Sequence, residues 1–192
     1  MSLSFIFGGA RSGKSAFAEA LALQAEMRGR EVVYVATAAA GDQEMQQRIL
    51  HHRQRRPANW QTVEAPLALA AVLERHAPDG PLILIDCLTV WLSNLLFSSA
   101  TPYPDTGLIE APPAFFEQRQ ALLDALTAWR DGPAQIIVIS NEVGMGIVPL
   151  GAVSRWFVDE AGRLNQAVAG LAHNVAWVAA GLPLWLKGSA PC

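Results

Sequence analysis

The chain has 192 residues, of which 52% are hydrophobic and 16% are charged, so it can bury a substantial core and global disorder is excluded. Fourteen basic residues against seventeen acidic residues give a net charge of -3, which leaves no excess of positive charge to hold a nucleic-acid backbone. We therefore expect no nucleic-acid partner.

The length suits a single domain over residues 1–192. Two cysteines cannot form a disulfide framework, which favours a reducing compartment. The sequence contains no apolar run of the length of a membrane span, and its first residues lack the basic start of a signal peptide. These features predict a cytoplasmic protein without a membrane span.

Apolar runs alternate with segments of helical spacing along the whole chain. Strands are predicted at residues 3–7, 32–36, 61–63, 82–85, 135–139, 175–179 and 184–186. Helices are predicted at residues 14–28, 43–52, 67–76, 88–97, 114–130 and 153–171, with a long proline-rich surface loop at 98–113. This alternation predicts an α/β fold, a mostly parallel sheet with helices on both faces. In such sheets ligands bind beyond the carboxyl ends of the strands.

A glycine-rich segment follows the first predicted strand. Residues 8–15 read GGARSGKS, which fits G-x-x-x-x-G-K-[ST] between a strand and a helix, the pattern of a P-loop NTPase. The glycines let backbone N–H groups surround phosphate oxygens, and the helix N-terminus adds its dipole. Lys14 can then reach the β- and γ-phosphates, and the Ser15 hydroxyl can bind Mg²⁺. The alternative is a strand-to-helix turn without a ligand.

Asp86 follows the apolar strand at residues 82–85. A carboxylate at this place acts on Mg²⁺ directly or through water, while the alternative is a cap on the following helix. The phosphate loop and Asp86 together predict an enzyme that binds a nucleoside triphosphate. They leave open a small-molecule kinase, a nucleotidyltransferase and a switch-type NTPase.

Histidine and arginine are concentrated in residues 51–56, which read HHRQRR. Such a cluster would attract a polyphosphate. A neutral imidazole could also attack a phosphorus atom and form a covalent phosphoramidate. A solvated basic helix end that complements the helix dipole is the simpler alternative, and the pattern alone leaves all three open.

Two further features lie near strand ends. Asn141 and Glu142 follow the strand at 135–139, where Glu142 could orient an acceptor hydroxyl, bind Mg²⁺ through water, or cap the turn. Trp60 follows the basic segment and is interpreted as a residue that could stack on a nucleotide base.

These motifs occur together in one known family. Over nearly its whole length, the chain resembles the bifunctional adenosylcobinamide kinase and adenosylcobinamide-phosphate guanylyltransferase of cobalamin biosynthesis. The resemblance rests on GGARSGKS (8–15), YVAT (34–37), RILHHRQRRP (48–57) with Trp60 and Glu64, DCLTVWLSNLL (86–96), NEVGMGIVP (141–149) and RWFVDEAGRLNQ (155–166). The loop at 98–113 matches none of these motifs and is assigned no role.

The resemblance implies two reactions. ATP or GTP phosphorylates the aminopropanol hydroxyl of adenosylcobinamide. GTP then guanylylates a histidine with release of pyrophosphate, and the GMP passes to adenosylcobinamide phosphate to give adenosylcobinamide-GDP. The guanylylated histidine corresponds to His51, which joins Lys14 as a catalytic residue. The resemblance also implies that the protein assembles as a trimer.

The resemblance also implies which residues bind the nucleotide and the metal. The implied nucleotide contacts are Gly8, Gly9, Ala10, Arg11, Ser12, Gly13, Lys14, Ser15, Ala36, Thr37, Ala38, His52, Arg53, Gln54, Arg55, Glu64 and Asp86. Ser15 and Asp86 are the implied Mg²⁺ residues, with water as an intermediary where needed.

Two other functions are consistent with parts of the pattern. A small-molecule kinase without nucleotidyl transfer would use the phosphate loop and Asp86 but need no histidine. A non-catalytic nucleotide-dependent switch would leave the histidine and arginine cluster as a surface feature. Covalent attachment of GMP to the protein would distinguish the bifunctional enzyme from both of these alternatives.

Overall fold

The computed structural model describes residues 2–38, 57–99 and 102–189. The strands are β1 (Ser2–Gly8), β2 (Val32–Ala36), β3 (Gln61–Glu64), β4 (Leu82–Asp86), β5 (Gln135–Asn141), β6 (Asn174–Ala179) and β7 (Leu182–Lys187). The helices are α1 (Lys14–Met27), α2 (Leu69–His76), α3 (Leu88–Leu96), α4 (Pro113–Trp129) and α5 (Ala152–Leu171), with a 3-10 turn at Ala77–Asp79. The helix predicted at residues 43–52 lies outside the described residues.

The seven strands form one sheet in the order β3-β2-β4-β5-β1-β6-β7. Every neighbouring pair is parallel except β6 and β7, which are antiparallel. The prediction of a mostly parallel α/β sheet is therefore confirmed. The antiparallel edge arises because only a two-residue turn connects β6 to β7, which is too short for a crossover.

The central strands are buried on both faces, which explains why they read as continuous apolar runs. Alternate residues such as Ile83 and Ile85 pack with α2, α3, α4 and α5 in one core cluster. Their neighbours Leu82 and Leu84 pack with α1 in a second cluster on the opposite face. Helices on both faces of the sheet are thus confirmed.

Two predicted element bounds are wrong in informative ways. The second described helix begins at Leu69 instead of 67, with Ala68 as its N-cap, and the Leu67 carbonyl before it accepts a hydrogen bond from Trp91 Nε1 (2.7 Å). The last strand covers Leu182–Lys187 instead of 184–186, because its pairing with β6 runs from Leu182 to Lys187, with one irregularity near Lys187.

The parallel strands place several predicted functional residues at one edge of the sheet. Gly8 at the end of β1 is the register partner of Asn141 at the end of β5. Ala36 at the end of β2 is the partner of both Asp86 on β4 and Glu64 on β3. The carboxyl-end edge of the sheet is therefore the candidate site.

Candidate active site

The phosphate loop connects Gly8, the last residue of β1, to Lys14, the first residue of α1. Gly13 has a left-handed φ of 94°, and a Cβ there would lie 2.8 Å from the Cα of Gly181. A Cβ on Gly8 would collide with the carbonyl oxygen of Val178. Both positions therefore require glycine, as expected of a loop whose backbone must curve tightly.

The turn between β6 and β7 supports this loop from the side. The Gly181 N–H donates to the Ser12 carbonyl (2.8 Å), and the Ser12 N–H donates to the Gly9 carbonyl (3.2 Å). The Ser12 hydroxyl is buried and makes no hydrogen bond within the described part of the chain. A buried hydroxyl without a partner in a glycine-rich loop fits a site that receives its hydrogen-bond partner from a phosphate.

Lys14 is 8% exposed, and its Nζ donates to the Gly9 carbonyl (3.3 Å). Burial lowers the pKa of the Lys14 ammonium, and the electrostatic influence of Cys87 and Asp86 opposes that shift. Burial also raises the pKa of the Cys87 thiol to about 11, so the thiol is neutral at neutral pH. The Asp86 carboxylate is therefore the acidic partner that favours the charged form of Lys14.

Two residues, one on the neighbouring strand β2 and one directly after it, form hydrogen bonds with the end of β4 at Asp86. The Tyr34 hydroxyl donates to Asp86 Oδ2 (3.0 Å). The Thr37 hydroxyl lies 3.1 Å from the Asp86 carbonyl and 2.9 Å from the Cys87 carbonyl, and it accepts from the Cys87 N–H (2.8 Å). The N-cap of α3 is Cys87, with no side-chain capping bond, so Asp86 does not act as the helix cap that the sequence left open.

The other implied nucleotide contacts extend along the strand-end edge. Glu64 is exposed at the end of β3, four strands from β1, which corresponds to about 19 Å at the usual strand spacing. Thr37 is fully buried, and its hydroxyl is engaged with the β4 end. The structure thus brings Asp86 to the phosphate loop but places Glu64 far along the edge from that loop.

The residues present fit a magnesium ion. Across residues 2–38, 57–99 and 102–189, no group of three or more His, Cys, Asp and Glu side chains could hold a metal ion. Mg²⁺ commonly takes one or two protein ligands together with phosphate oxygens and water, so it does not need such a group. The Ser15 hydroxyl in the first turn of α1 and the Asp86 carboxylate at the end of β4 are the groups that fit it.

The end of β5 adjoins the phosphate loop. The Glu142 N–H donates to the Gly8 carbonyl (3.0 Å), and Glu142 Oε1 accepts from the Gly144 N–H (2.6 Å). The Asn141 N–H donates to Thr89 Oγ1 (2.7 Å). Among the three roles considered for Glu142, the structure shows the turn cap.

Trp60 does not lie where a base could stack on it. It directly precedes β3, at the edge of the sheet opposite the phosphate loop. It is 6% exposed, and its Nε1 donates to Glu26 Oε2 (3.0 Å). The interpretation of Trp60 as a base-stacking residue is therefore wrong, because a residue that precedes a parallel strand lies at the amino-end edge.

Tyr34 and Thr89 form hydrogen bonds at the site, although neither was predicted as a site residue from the sequence. A tyrosine within an apolar strand is a signal, because a buried phenol hydroxyl needs a hydrogen-bond partner. Thr89 gives no comparable signal.

The predicted residues His51, His52, Arg53, Gln54 and Arg55 lie outside the described residues. None of the helices in the described part of the chain has the length and apolar composition needed to cross a membrane.

Comparison with known proteins gives the family. The family model described as cobinamide kinase / cobinamide phosphate guanyltransferase matches residues 4–186. The chain belongs to this family. The resemblance drawn from the motifs is therefore confirmed.

Relatives within the family match over nearly their whole length. The chain is 50% identical over 183 residues to the bifunctional adenosylcobalamin biosynthesis protein CobP of Pseudomonas aeruginosa, covering 95% of this chain and 96% of that protein. It is 39% identical over 184 residues to the bifunctional adenosylcobalamin biosynthesis protein CobU of Escherichia coli, covering 95% and 98%.

A solved structure with low sequence identity shares the fold. The flagellar accessory protein FlaH of Methanocaldococcus jannaschii is similar with a TM-score of 0.54 and 14% identity, covering 99% of this chain and 82% of that one. At this identity the similarity concerns the fold alone. It agrees with the P-loop NTPase-like class predicted from the strand, phosphate loop and helix.

Proposed function

We propose that this chain is a bifunctional adenosylcobinamide kinase and adenosylcobinamide-phosphate guanylyltransferase that uses one nucleotide site for both reactions. The observation that carries the proposal is the buried Lys14 of the phosphate loop, with Asp86 at the same carboxyl-end edge of the sheet, in a chain whose family is defined by both activities. ATP or GTP serves the first reaction, and GTP serves the second.

In the kinase reaction, the acceptor hydroxyl oxygen attacks the γ-phosphorus. A new oxygen–phosphorus bond forms, the bond to the β,γ-bridging oxygen breaks, the nucleoside diphosphate leaves, and the hydroxyl proton is lost to solvent. Lys14 and the backbone N–H groups of the phosphate loop stabilise the charge on the phosphate oxygens. Ser15 and Asp86 would hold Mg²⁺, which would supply further charge neutralisation at the phosphate oxygens.

In the guanylyl transfer, a ring nitrogen of His51 attacks the α-phosphorus of GTP. The phosphorus–nitrogen bond forms as the bond to pyrophosphate breaks. A phosphate oxygen of adenosylcobinamide phosphate then attacks the same phosphorus and releases His51. A covalent histidine divides one displacement into two in-line steps at a single nucleotide site. The resemblance at residues 48–57 supports this role.

The remaining implied contacts suit one extended nucleotide. With the triphosphate in the loop of residues 8–15, the nucleoside extends along the strand-end edge toward Ala36, Ala38 and Glu64. His52, Arg53, Gln54 and Arg55 complete the nucleotide contacts, as the resemblance implies. The phosphate loop and Glu64 lie far apart in the sheet order. Their separation fits contacts with opposite ends of one nucleotide better than contacts with a single phosphate.

The proposal extends to assembly as a homo-oligomer, a trimer by resemblance. Leu182, Leu184 and Leu186 alternate along the edge strand β7 and are 73%, 55% and 57% exposed. Apolar residues in a row at a sheet edge are characteristic of a surface that pairs with another chain. Light scattering should give three times the mass of one chain, and a monomer would contradict this part of the proposal.

The proposal also takes residues 1–192 as a single domain that works in the cytoplasm. The support is a single sheet formed by the described strands and a sequence with two cysteines.

Asp86→Asn is expected to weaken metal-dependent turnover more than it weakens nucleotide binding without metal. The substitution keeps the shape of the side chain but removes the charge that favours Mg²⁺. The measurement is the Mg²⁺ dependence of the kinase rate, together with GTP affinity measured with and without Mg²⁺. An unchanged Mg²⁺ dependence would show that Asp86 has only a structural role.

Tyr34→Phe is a milder substitution to be compared with Asp86→Asn in the same experiment. It removes the 3.0 Å hydrogen bond to Asp86 Oδ2 and keeps the ring in the core. We expect a smaller shift in Mg²⁺ dependence than for Asp86→Asn and no change in GTP affinity without metal. A larger effect than that of Asp86→Asn would mean that the contribution of Tyr34 does not pass through Asp86.

A further inference from the structure

A segment without polar side chains leaves the active-site edge directly after Glu142. We refer to residues 143–150, which read VGMGIVPL, as the apolar loop. Its Met145, Ile147, Val148 and Leu150 are 76%, 98%, 71% and 95% exposed. Single exposed apolar residues are ordinary, but four within six consecutive positions form a surface that is characteristic of binding.

Both ends of the apolar loop are attached to the body of the site. At the start, Glu142 donates its N–H to the Gly8 carbonyl, and its Oε1 accepts from the Gly144 N–H. At the end, Arg155 donates to the Pro149 carbonyl (3.1 Å) and to the Leu150 carbonyl. The loop is therefore held in position beside the phosphate loop while its side chains face outward.

The position of the apolar loop constrains what can cover it. Transfer of a γ-phosphate requires the acceptor hydroxyl to come within about 3–3.5 Å of the phosphorus. The neighbours of the phosphate-loop strand β1 are β5 and β6, and β5 is the one that leads toward Asp86. The chain that leaves β5 at this edge is the apolar loop, so an acceptor that approaches the γ-phosphate from the side of β5 passes close to it.

The chemistry of the acceptor fits the same surface. The family acts on cobinamide, a corrin macrocycle whose reactive group lies on a peripheral side chain. Such a ring carries peripheral methyl groups and a conjugated π system between its polar amide side chains, whereas the triphosphate and ribose of the nucleotide offer no comparable apolar surface. Four exposed aliphatic and thioether side chains offer a contact for the macrocycle and none of the hydrogen bonds that a nucleotide needs.

We propose that the apolar loop is the docking surface for the corrin ring of the acceptor and holds the ring while its side-chain hydroxyl reaches the γ-phosphate. This inference rests on the proposed function. A second copy of the chain is the competing occupant, and the exposed leucines of β7 offer a separate surface for that contact.

The test compares the same substitution at two places. Met145→Gln changes the apolar loop, and Met27→Gln changes a methionine of similar exposure, 79%, at the far end of α1 near the opposite edge of the sheet. Ile147→Asn is a second variant in the loop. Both loop positions are exposed, so folding should be retained. The readouts are the KM for adenosylcobinamide in the kinase reaction, its equilibrium affinity, and the affinity for GTP.

We expect Met145→Gln and Ile147→Asn to raise the KM and the dissociation constant for adenosylcobinamide about tenfold, because each removes an apolar contact with the ring. GTP affinity should be unchanged, and Met27→Gln should behave as wild type. Wild-type affinity for adenosylcobinamide in both loop variants would overturn the inference.

Two further outcomes are decisive. If the loop variants change the oligomeric mass measured by light scattering, the loop belongs to a contact between copies, which contradicts the docking role. If wild-type protein neither binds nor phosphorylates adenosylcobinamide while it still binds GTP, the proposed function fails and this inference fails with it. Loss of acceptor affinity in the loop variants alone supports the inference.

Discussion

Lys14→Ala is expected to reduce both the kinase and the guanylyltransferase rates by about a hundredfold or more. Lys14 is a buried residue of the phosphate loop, so water cannot readily supply the charge that the substitution removes. Both reactions are proposed to use a triphosphate bound in the same loop, so the loss should appear in both. The measurement is turnover in each reaction, assayed separately by supplying adenosylcobinamide or adenosylcobinamide phosphate.

Lys187 provides the matched control, since it is the other lysine of the chain. It lies exposed on β7, where its Nζ donates to the carbonyls of Ala169 (3.3 Å) and Gly170 (3.1 Å). Lys187→Ala should leave both rates near those of the wild type. Near-normal turnover of Lys14→Ala in both assays would exclude the phosphate loop as the shared site.

His51→Ala is expected to separate the two activities. Loss of the imidazole removes the proposed covalent intermediate, so guanylyl transfer to adenosylcobinamide phosphate should fall to background. The kinase reaction is proposed not to need that imidazole, because the phosphate loop with its Lys14 would stabilise the transition state of γ-phosphoryl transfer. Phosphorylation of adenosylcobinamide should therefore continue at an appreciable rate.

His52→Ala is the control for this separation. Adjacent residues on the predicted helix point about 100° apart, so His52 cannot replace His51 at the same phosphorus. We expect slower guanylyl transfer in His52→Ala without its loss. The reverse pattern, with transfer lost in His52→Ala and kept in His51→Ala, would move the nucleophile by one residue.

The sequence predicted the parts of this site that are local in the chain. The phosphate loop could be recognised because Gly8–Ser15 carries its own strand and helix on either side. Asp86 could be placed at the active edge because it directly follows an apolar run, and the carboxyl ends of parallel strands share an edge. The two-sided burial of β1, β4 and β5 follows from the same runs.

Contacts between distant parts of the chain could not be predicted. Tyr34 meets Asp86 because β2 is next to β4, and the strand order is not encoded in any local period. The support of the phosphate loop by Gly181 depends likewise on β6 lying beside β1. Trp60 was misassigned because its neighbours in sequence suggested the nucleotide, whereas the sheet places it at the other edge.

The central claim is a covalent GMP on His51, and the most direct measurement is α-labelled GTP incubated with the protein and Mg²⁺. Wild-type protein should retain label after denaturation and in alkali, and lose it in acid, as expected of a phosphorus–nitrogen bond. His51→Ala should carry no label while still phosphorylating adenosylcobinamide. Absence of label from the wild type, or label retained by His51→Ala, would contradict the account.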